Sequence, residues 1–277
     1  MKNNFGDIRD LGDLGGSKIP VAQIPKRIAR VIAQANARYG LIGEGDRVIV
    51  GLSGGKDSLT LTHALLRMKR IAPFDFELLA ITIDYGMGED LSRLAAHCRE
   101  YGVPHEIEKT SIFADAPKYI RENSSFCSYF SRMRRGFLYT AARNRGFNTL
   151  ALAHHLDDAA ESFFMNIFNN GKLRSMPVFY KSERGIKVIR PLIAARESWL
   201  ADCAKANNFP IVGDENCPAF KMNVKMPHAR AEMKERLAKL ALEKEGAFDR
   251  LRRAFCNVQA ETFCDERFLG KAGDEED

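Results

Sequence analysis

Short apolar runs alternate with helical segments through most of the chain, and this alternation limits the fold more than any other feature. The clearest strand candidates are Arg47–Leu52 and Phe76–Asp84, and each is followed by a segment with helical spacing of its apolar residues. Further strands are predicted at 104–108, 149–153 and 186–189, and helices at 21–40, 59–69, 90–101, 128–144 and 157–168. Near-continuous apolar strands that alternate with helices are typical of a parallel sheet covered on both faces. The sequence therefore predicts an α/β core.

Helical segments flank this core on both sides. Residues 1–40 are predicted to form an N-terminal helical segment, residues 41–220 the core, and residues 221–277 a C-terminal helical region with an acidic tail. Three further helices are predicted at 197–207, 229–245 and 248–258. A chain of 277 residues is long enough for one or two domains with a full hydrophobic core.

The composition argues against several classes of protein. No run of about 18 apolar residues occurs, so a membrane-spanning helix is not expected. Residues 1–20 contain three aspartates and no apolar run, so we do not expect a secretory signal peptide. The six cysteines include no Cys-x-x-Cys pair, and a disulfide framework is not expected. We therefore expect a cytoplasmic protein with no membrane partner.

Positive charge is concentrated in the middle of the chain. The net charge is +6, and residues 128–190 contain eleven Lys and Arg against four acidic residues. A basic region of this kind favours a polyanionic partner such as nucleic acid, although a solvated face would give the same pattern.

The six residues Ser53–Ser58, with the sequence SGGKDS, lie between a predicted strand and a predicted helix. Ligands of open α/β sheets bind at the carboxyl ends of the strands, where a helix N-terminus offers unpaired N–H groups to phosphate. Two glycines let the backbone approach a ligand closely, while serine hydroxyls and Lys56 supply donors and a positive charge. Asp57 follows the lysine, so this is not a Walker P-loop, which requires Ser or Thr there. The segment predicts a nucleotide-phosphate site.

This loop resembles the pyrophosphatase loop of the N-type ATP pyrophosphatases, the PP-loop enzymes. Ile83-Asp84 at the end of the second strand and Ala153–Asp158 (AHHLDD) after the fourth are similar to two further motifs of that family. The resemblance implies a Rossmann-like, adenine nucleotide alpha hydrolase-like core. It also implies cleavage of ATP to AMP and pyrophosphate, which activates a carbonyl or carboxyl oxygen of the acceptor.

The resemblance assigns a role to each motif residue. Residues implied to hold pyrophosphate oxygens are Ser53, Gly54, Gly55 and Ser58. Lys56 is implied to neutralise the leaving group, and Asp84 and His155 to contact the nucleotide. Asp57 and Asp158 are implied to hold Mg²⁺, which prefers carboxylate oxygens, and Asp158 is a candidate catalytic residue. Structural alternatives stay open, because Asp57 could cap a helix and Asp158 could be a helix-start charge.

Within the PP-loop enzymes, the chain resembles the tRNA 2-thiocytidine synthetases. The similar segments are Cys127–Gly136 (CSYFSRMRRG), Asn166–Lys172, Met176-Pro177, Ile189–Leu192 and Phe263–Asp265. The resemblance, from Asp46 to Cys264, implies a tRNA sulfurtransferase that adenylates the C2 carbonyl of a cytidine and replaces its oxygen with sulfur. Candidate tRNA-phosphate contacts are Arg132, Arg134, Arg135, Lys172 and Arg174.

The cysteine pattern departs from that family. Its members carry Cys-x-x-Cys in the first segment and a second cysteine pair further on, and three of these cysteines ligate a [4Fe–4S] cluster. In this chain Phe130 and Asp214 replace two of the four, which leaves Cys127 and Cys217. Two mechanisms therefore stay open: a cluster with a substitute ligand, or a metal-free route in which one cysteine carries a persulfide and the other resolves it as a disulfide.

Two other functions fit parts of this pattern. A PP-loop ligase of the amidotransferase or lysidine-synthetase type would use an amine as the nucleophile. A nucleotide- or RNA-binding relative would lack sulfur chemistry altogether.

A tRNA sulfurtransferase also implies a sulfur donor, either a cysteine desulfurase or sulfide. A homodimer is a further hypothesis.

Overall fold

The computed structural model describes residues 19–120, 126–212 and 228–268, without the side chains of residues 126–128 and 228. Cys217, Asp214 and the acidic tail lie outside the described residues, as does the predicted boundary near residue 220. The proposed domain limits therefore stay predictions. In the described part of the chain, no helix is long and apolar enough to cross a membrane.

Six strands form one sheet. They are β1 (Arg47–Gly51), β2 (Glu77–Asp84), β3 (His105–Lys109), β4 (Thr149–Ala151), β5 (Phe179–Lys181) and β6 (Lys187–Ile189). Their order is β3-β2-β1-β4-β6-β5, and every neighbouring pair is parallel except β5 and β6. The predicted α/β class with a parallel sheet is confirmed. The sequence pattern did not predict β5, because its three residues alternate little in polarity and pair only at the sheet edge.

Nine α-helices occur among the described residues, and a short 3-10 helix follows at Ala260–Thr262. The α-helices are α1 (Lys26–Tyr39), α2 (Lys56–Ile71), α3 (Ser92–Glu100), α4 (Ile112–Tyr119), α5 (Phe126–Asn144), α6 (Leu156–Asn170), α7 (Glu197–Ala206), α8 (His228–Glu243) and α9 (Ala247–Ala254). Helix α4 was not predicted, since Pro117 lies inside it. Helix α1 begins after Pro25 rather than at residue 21, because proline is suited to the start of a helix and not to its interior.

Strand β1 is buried on both faces. Val48 and Val50 pack with apolar residues of α1, α2 and α7, whereas Ile49 packs on the other face with residues of α5 such as Leu138. Successive strand side chains point to opposite faces, so this pattern requires a helical layer on each side. The double burial fixes the carboxyl end of β1, and the SGGKDS loop with it.

The C-terminal helices pack against the core. Leu156 at the start of α6 lies in a small apolar cluster with Met233 and Leu237 of α8 and Phe248 of α9. The described part of the C-terminal region therefore covers the first turn of α6, next to the AHHLDD motif.

Two histidines are buried between α2 and α3. The Nε2 atoms of His63 and His97 lie 2.8 Å apart, so one ring donates to the other. The His63 ring also stacks on Phe209, with centroids 4.7 Å apart. Burial lowers the pKa of His63 to about 3, with His97 and Arg70 adding to the effect, and burial also lowers the pKa of His97. Both rings are therefore neutral in the folded protein at neutral pH.

This pair predicts acid sensitivity of the fold. An unfolded histidine has a pKa of about 6.5, so below that pH the unfolded chain binds more protons than the folded one. We expect the free energy of unfolding to be at its full value above pH 6.5. The free energy of unfolding should fall as the pH drops toward the pKa of each histidine in the folded protein. The fall is at most about 1.4 kcal/mol per pH unit for each histidine. Urea unfolding at several pH values measures this slope. His63→Gln should reduce the slope of unfolding free energy against pH. Equal slopes for the variant and the wild type would show that the buried pair does not cause the acid sensitivity.

Candidate active site

A cavity of about 280 Å³ lies at the carboxyl edge of the sheet, next to the ends of β1, β2 and β4. Strands β2 and β3 extend the sheet on one side of β1, and β4 begins the other half. This is the topological switch point, where open α/β sheets bind their ligands. The polar residues that line it include Ser53, Asp57, Ser58, His154, Asp158 and Arg230.

The SGGKDS loop has a closed network of hydrogen bonds. Ser58 Oγ donates to the Gly55 carbonyl at 2.9 Å and accepts from Ser53 N at 3.2 Å. Because the single proton of Ser58 Oγ is used, Ser53 Oγ donates to it across 3.1 Å. Gly54 has a φ of +81°, and a Cβ there would lie 2.4 Å from Val212 Cγ2. The loop therefore requires glycine at position 54.

Helix α2 begins at Lys56 without a side-chain cap, and its N-cap residue is Gly55. The alternative role of Asp57 as an N-cap is therefore wrong, because Asp57 lies inside the first turn. An uncapped first turn leaves backbone N–H groups and the positive end of the helix dipole for an anion. The loop thus has the geometry of a phosphate site.

Lys56 does not line the cavity, although its partner Asp57 does. Its Nζ donates to Asp57 Oδ2 at 3.2 Å and to Glu197 Oε1, at the start of α7, at 3.0 Å. Burial alone would lower the pKa of Lys56, but the two carboxylates together raise it above its usual value. Lys56 is therefore a firmly charged residue that joins the loop to α7. Its role with a leaving group stays a prediction.

Asp57 carries an unusual buried oxygen. Its Oδ1 is buried and has no hydrogen-bond partner among the described residues. Burial raises the pKa of Asp57, and the nearby Lys56 and His155 oppose this rise. Asp57 and Asp158 both line the cavity. A buried carboxylate oxygen without a partner, close to a second carboxylate, is a donor set that fits Mg²⁺.

His155 and Asp158 close the start of α6. Asp158 N donates to His155 Nδ1 at 3.3 Å, and His155 N donates to Asp158 Oδ2 at 3.0 Å. Because Nδ1 accepts, Nε2 carries the ring hydrogen, and it lies 3.4 Å from Asp158 Oδ2 and 3.8 Å from Asp57 Oδ2. His155, which is 4% exposed, therefore orients Asp158 through its backbone N–H and does not itself line the cavity. Its predicted contact with the nucleotide stays a prediction.

The two neighbouring aspartates have different partners. Asp157 Oδ2 accepts from Glu197 N at 2.8 Å, and Asp157 pairs with Arg196, so it caps the start of α7. Asp158 Oδ1 instead accepts from Arg230 Nη2 at 2.5 Å, while Arg230 Nε donates to the buried Glu161 at 2.8 Å. Asp157 is thus occupied by a structural contact, and Asp158 faces the cavity.

His154 lines the cavity as a neutral ring. Arg190 Nε donates to its Nδ1 at 3.2 Å. Burial and the nearby Arg190 lower the pKa of His154 to about 4. Arg190 is itself buried and donates to the Pro177 carbonyl at 2.7 Å. His154 can therefore donate from Nε2 but does not serve as a cation at neutral pH.

Asp84 lies near the cavity without lining it. Its Oδ1 accepts from Gly86 N at 2.8 Å in the turn after β2, and the next residue, Tyr85, lines the cavity instead. The predicted nucleotide contact of Asp84 stays a prediction.

Helix α5 carries Cys127 near its start and also residues that line the cavity. These lining residues include Ser131 and Arg134. Phe130 is 6% exposed and packs edge-on against Tyr85 and Tyr129 in the core. The residue that replaces a family cysteine is therefore a core hydrocarbon ring and cannot bind iron.

The predicted RNA-binding residues separate into two groups. Arg132, Lys172 and Arg174 are exposed to solvent. Arg134 and Arg135 are partly buried, and Arg134 lines the cavity. The role of all five residues in binding RNA stays a prediction, and Arg134 is the one of them that lines the cavity.

Arg230 and Glu197 belong to no motif of the sequence. Arg230 contacts Asp158 from 72 positions away, and Glu197 contacts Lys56 from 141 positions away. No short motif links residues at such separations, so only an alignment of many relatives could have paired them.

Known proteins share this fold and much of this sequence. The PP-loop domain family matches residues 23–235. Two relatives named tRNA-cytidine(32) 2-sulfurtransferase, from Geobacter metallireducens and Geotalea daltonii, are 39% and 38% identical over 236 and 244 residues. These alignments cover 84% and 87% of this chain, and 90% and 95% of the relatives.

A solved structure confirms the fold. The U34-tRNA thiolase NcsA from Methanococcus maripaludis with its [4Fe-4S] cluster has a TM-score of 0.66 at 22% identity. The match covers 83% of this chain and 76% of that one. The chain therefore belongs to the PP-loop family, together with relatives named tRNA-cytidine(32) 2-sulfurtransferase.

Proposed function

We propose that this chain is an ATP-dependent tRNA sulfurtransferase that converts a cytidine to 2-thiocytidine. One observation carries the proposal. A cavity with a phosphate loop and two carboxylates is lined by the same helix, α5, that carries Cys127. The names of the relatives favour sulfur over the amine of a ligase.

The chain's own residues account for the activation step. The loop N–H groups and the hydroxyls of Ser53 and Ser58 bind the pyrophosphate portion of ATP. The cytidine C2 oxygen attacks the α-phosphorus, and the bond to pyrophosphate breaks. Arg134 and Arg230, which line the cavity, stabilise negative charge that develops there. The base then carries AMP as its leaving group.

Asp57 and Asp158 are the residues that would hold Mg²⁺, which would neutralise charge on the phosphates when bound. Asp57 supplies its unpartnered Oδ1. His155 N donates to Asp158 Oδ2, and Arg230 donates to Asp158 Oδ1, so these two contacts orient Asp158.

The sulfur step uses cysteine without a metal in our proposal. The terminal sulfur of a persulfide on one of Cys127 and Cys217 attacks C2, and the bond from C2 to the AMP oxygen breaks. The second cysteine, as thiolate, attacks the inner sulfur. The sulfur–sulfur bond breaks, which leaves 2-thiocytidine and a disulfide between the two cysteines. An external thiol must reduce this disulfide before the next turnover.

The donor set does not fit the cluster that the family resemblance implies. That cluster takes three cysteine thiolates, and position 130 offers a buried phenyl ring instead. Asp214, which replaces the other cysteine, is a hard oxygen ligand where iron–sulfur clusters take thiolates. We therefore derive no step through a cluster.

The proposal includes three partners. The exposed Arg132, Lys172 and Arg174 bind tRNA phosphates. A cysteine desulfurase or sulfide supplies the sulfur. Two copies of the chain form a homodimer.

The test is a thionucleoside profile of the native host. We expect deletion of the gene to remove 2-thiocytidine from digested total tRNA, measured by mass spectrometry, and the wild-type gene to restore it. Other thionucleosides serve as internal controls and should not change. An unchanged 2-thiocytidine level would contradict the proposal. ATP-to-AMP turnover with candidate amines would then test the ligase alternative.

A further inference from the structure

A second and larger cavity, of about 750 Å³, lies along another face of α6. It is bounded by α1 from Val31 to Tyr39, by Ala159 and Phe163 of α6, and by the segments 173–178 and 251–263. We call it the arginine groove. None of the residues assigned above to ATP, Mg²⁺ or sulfur lines it.

The groove offers flat rings to a ligand. Tyr39, Phe163, Phe255 and Phe263 line it, and Phe263 is 42% exposed. The Phe163 and Phe255 rings meet edge to face, with centroids 5.3 Å apart. The Arg38 guanidinium lies 5.3 Å from the centroid of the Tyr39 ring. Exposed rings and stacked guanidinium groups are the surfaces on which unpaired nucleic-acid bases stack.

The charge of the groove has one sign. Arg38, Arg252 and Arg253 line it, and the described lining residues include no aspartate or glutamate. Arg252 lies 3.8 Å from Asp249, a surface pair on α9 that water screens and a phosphate can displace. The side-chain amides of Asn257 and Gln259 add donors and acceptors. Rings to stack on, arginines for phosphate and amides for base edges together match a single-stranded polynucleotide.

The groove adjoins the ATP cavity. Asp158 lines the cavity, and the next residue on α6, Ala159, lines the groove. The two sites are thus separated by one helix, which is about 10–12 Å across with its side chains. A strand held in the groove would place its neighbouring nucleotides close to the reacting phosphate.

We propose that the arginine groove binds single-stranded RNA, namely the unpaired nucleotides of the tRNA substrate next to the base under attack. The inference rests on the proposed function, because that function makes tRNA the substrate. It extends the RNA contacts beyond Arg132 on α5 and the two basic residues that follow α6, Lys172 and Arg174, to the C-terminal segment.

The test compares matched variants in tRNA binding, measured by fluorescence anisotropy over a range of salt. Arg252→Ala with Arg253→Ala removes two groove cations, and Lys26→Ala with Arg30→Ala removes two exposed cations outside the groove. We expect only the first pair to weaken binding and to reduce the slope of log affinity against log salt, by about 1.4 at 0.7 per phosphate on single strands. Phe263→Ala should weaken binding roughly tenfold through lost stacking. Phe168→Ala, an exposed ring outside the groove, should not.

Two results would overturn the proposal while leaving the proposed function intact. In the first, the groove variants bind tRNA as their controls do, although the wild type binds well. In the second, light scattering shows that the groove variants change the oligomeric state at unchanged tRNA affinity, which would make the groove a contact between copies. A wild-type protein that binds no tRNA would overturn both, and the thionucleoside profile reports on the function separately.

Discussion

We expect Asp158→Asn to lower the rate of ATP cleavage roughly 100-fold or more, the size of effect seen when one preorganised electrostatic group is lost. Asp158 lines the cavity with Asp57, and the substitution removes the charge that would hold Mg²⁺. Asparagine keeps the shape, but its single carbonyl oxygen can accept from His155 N or from Arg230 and not from both. Urea unfolding of the variant therefore accompanies the rate measurement, and we expect the loss of turnover to exceed what any loss of folded protein explains. The measurement is AMP and pyrophosphate formation in the presence of tRNA.

Asp157→Asn is the matched control for this prediction. Asp157 caps α7 through Glu197 N and pairs with Arg196, away from the cavity. We expect it to keep ATP cleavage within a few-fold of wild type and to lose about 1 kcal/mol of stability, the usual cost of a weakened helix cap. Equal losses of turnover in the two variants would show that both aspartates act structurally. The magnesium assignment would then fail.

We expect Cys127→Ala to remove 2-thiocytidine completely when it replaces the wild-type gene in the deletion host. Either sulfur route needs the Cys127 thiolate, as a ligand of the cluster or as one of the two cysteines that carry and resolve the persulfide, and alanine can do neither. Helix α5 places position 127 four residues before Ser131, which lines the cavity. The measurement is the thionucleoside content of total tRNA at matched expression of the two proteins.

Cys98→Ala is the control for a general effect of losing a thiol. Burial raises the pKa of Cys98 to about 11, so this thiol stays protonated and inert at neutral pH. We expect Cys98→Ala to restore 2-thiocytidine fully. Restoration by Cys127→Ala as well would exclude that cysteine from the chemistry. Iron bound in stoichiometric amounts after anaerobic reconstitution would favour the cluster over the two-cysteine route.

Much of the fold was accessible from local pattern. The apolar runs that became β1 and β2 and the helical spacing of α2 and α6 are repeated over neighbouring residues, so the chain itself displays them. Strand β5 and helix α4 were missed because they lack such a repeated pattern. The three residues of β5 pair only through the backbone at an edge, and Pro117 interrupts the helical pattern of α4.

Some features of the candidate site were likewise predictable from local sequence, and others were not. The phosphate loop and the AHHLDD motif were predicted because their residues are adjacent in the chain, and a strand end followed by a helix start brings them to one sheet edge. Whether a motif residue faces the ligand is a different question, since it depends on what else packs there. Lys56 pairs with Glu197, and Asp84 accepts a hydrogen bond in a turn, so their predicted contacts with the leaving group and the nucleotide stay predictions.

Long-range packing separated residues that look equivalent in the sequence. Asp157 and Asp158 are neighbours of the same type, but α7 binds the first and Arg230 of α8 the second. Burial left Asp57 Oδ1 without a partner among the described residues and placed the Phe130 ring in the core. Local sequence encodes which elements form, because hydrogen bonding and side-chain periodicity act over a few residues. The partners of each charge are set by elements that meet only in the folded chain, so no local pattern contains them.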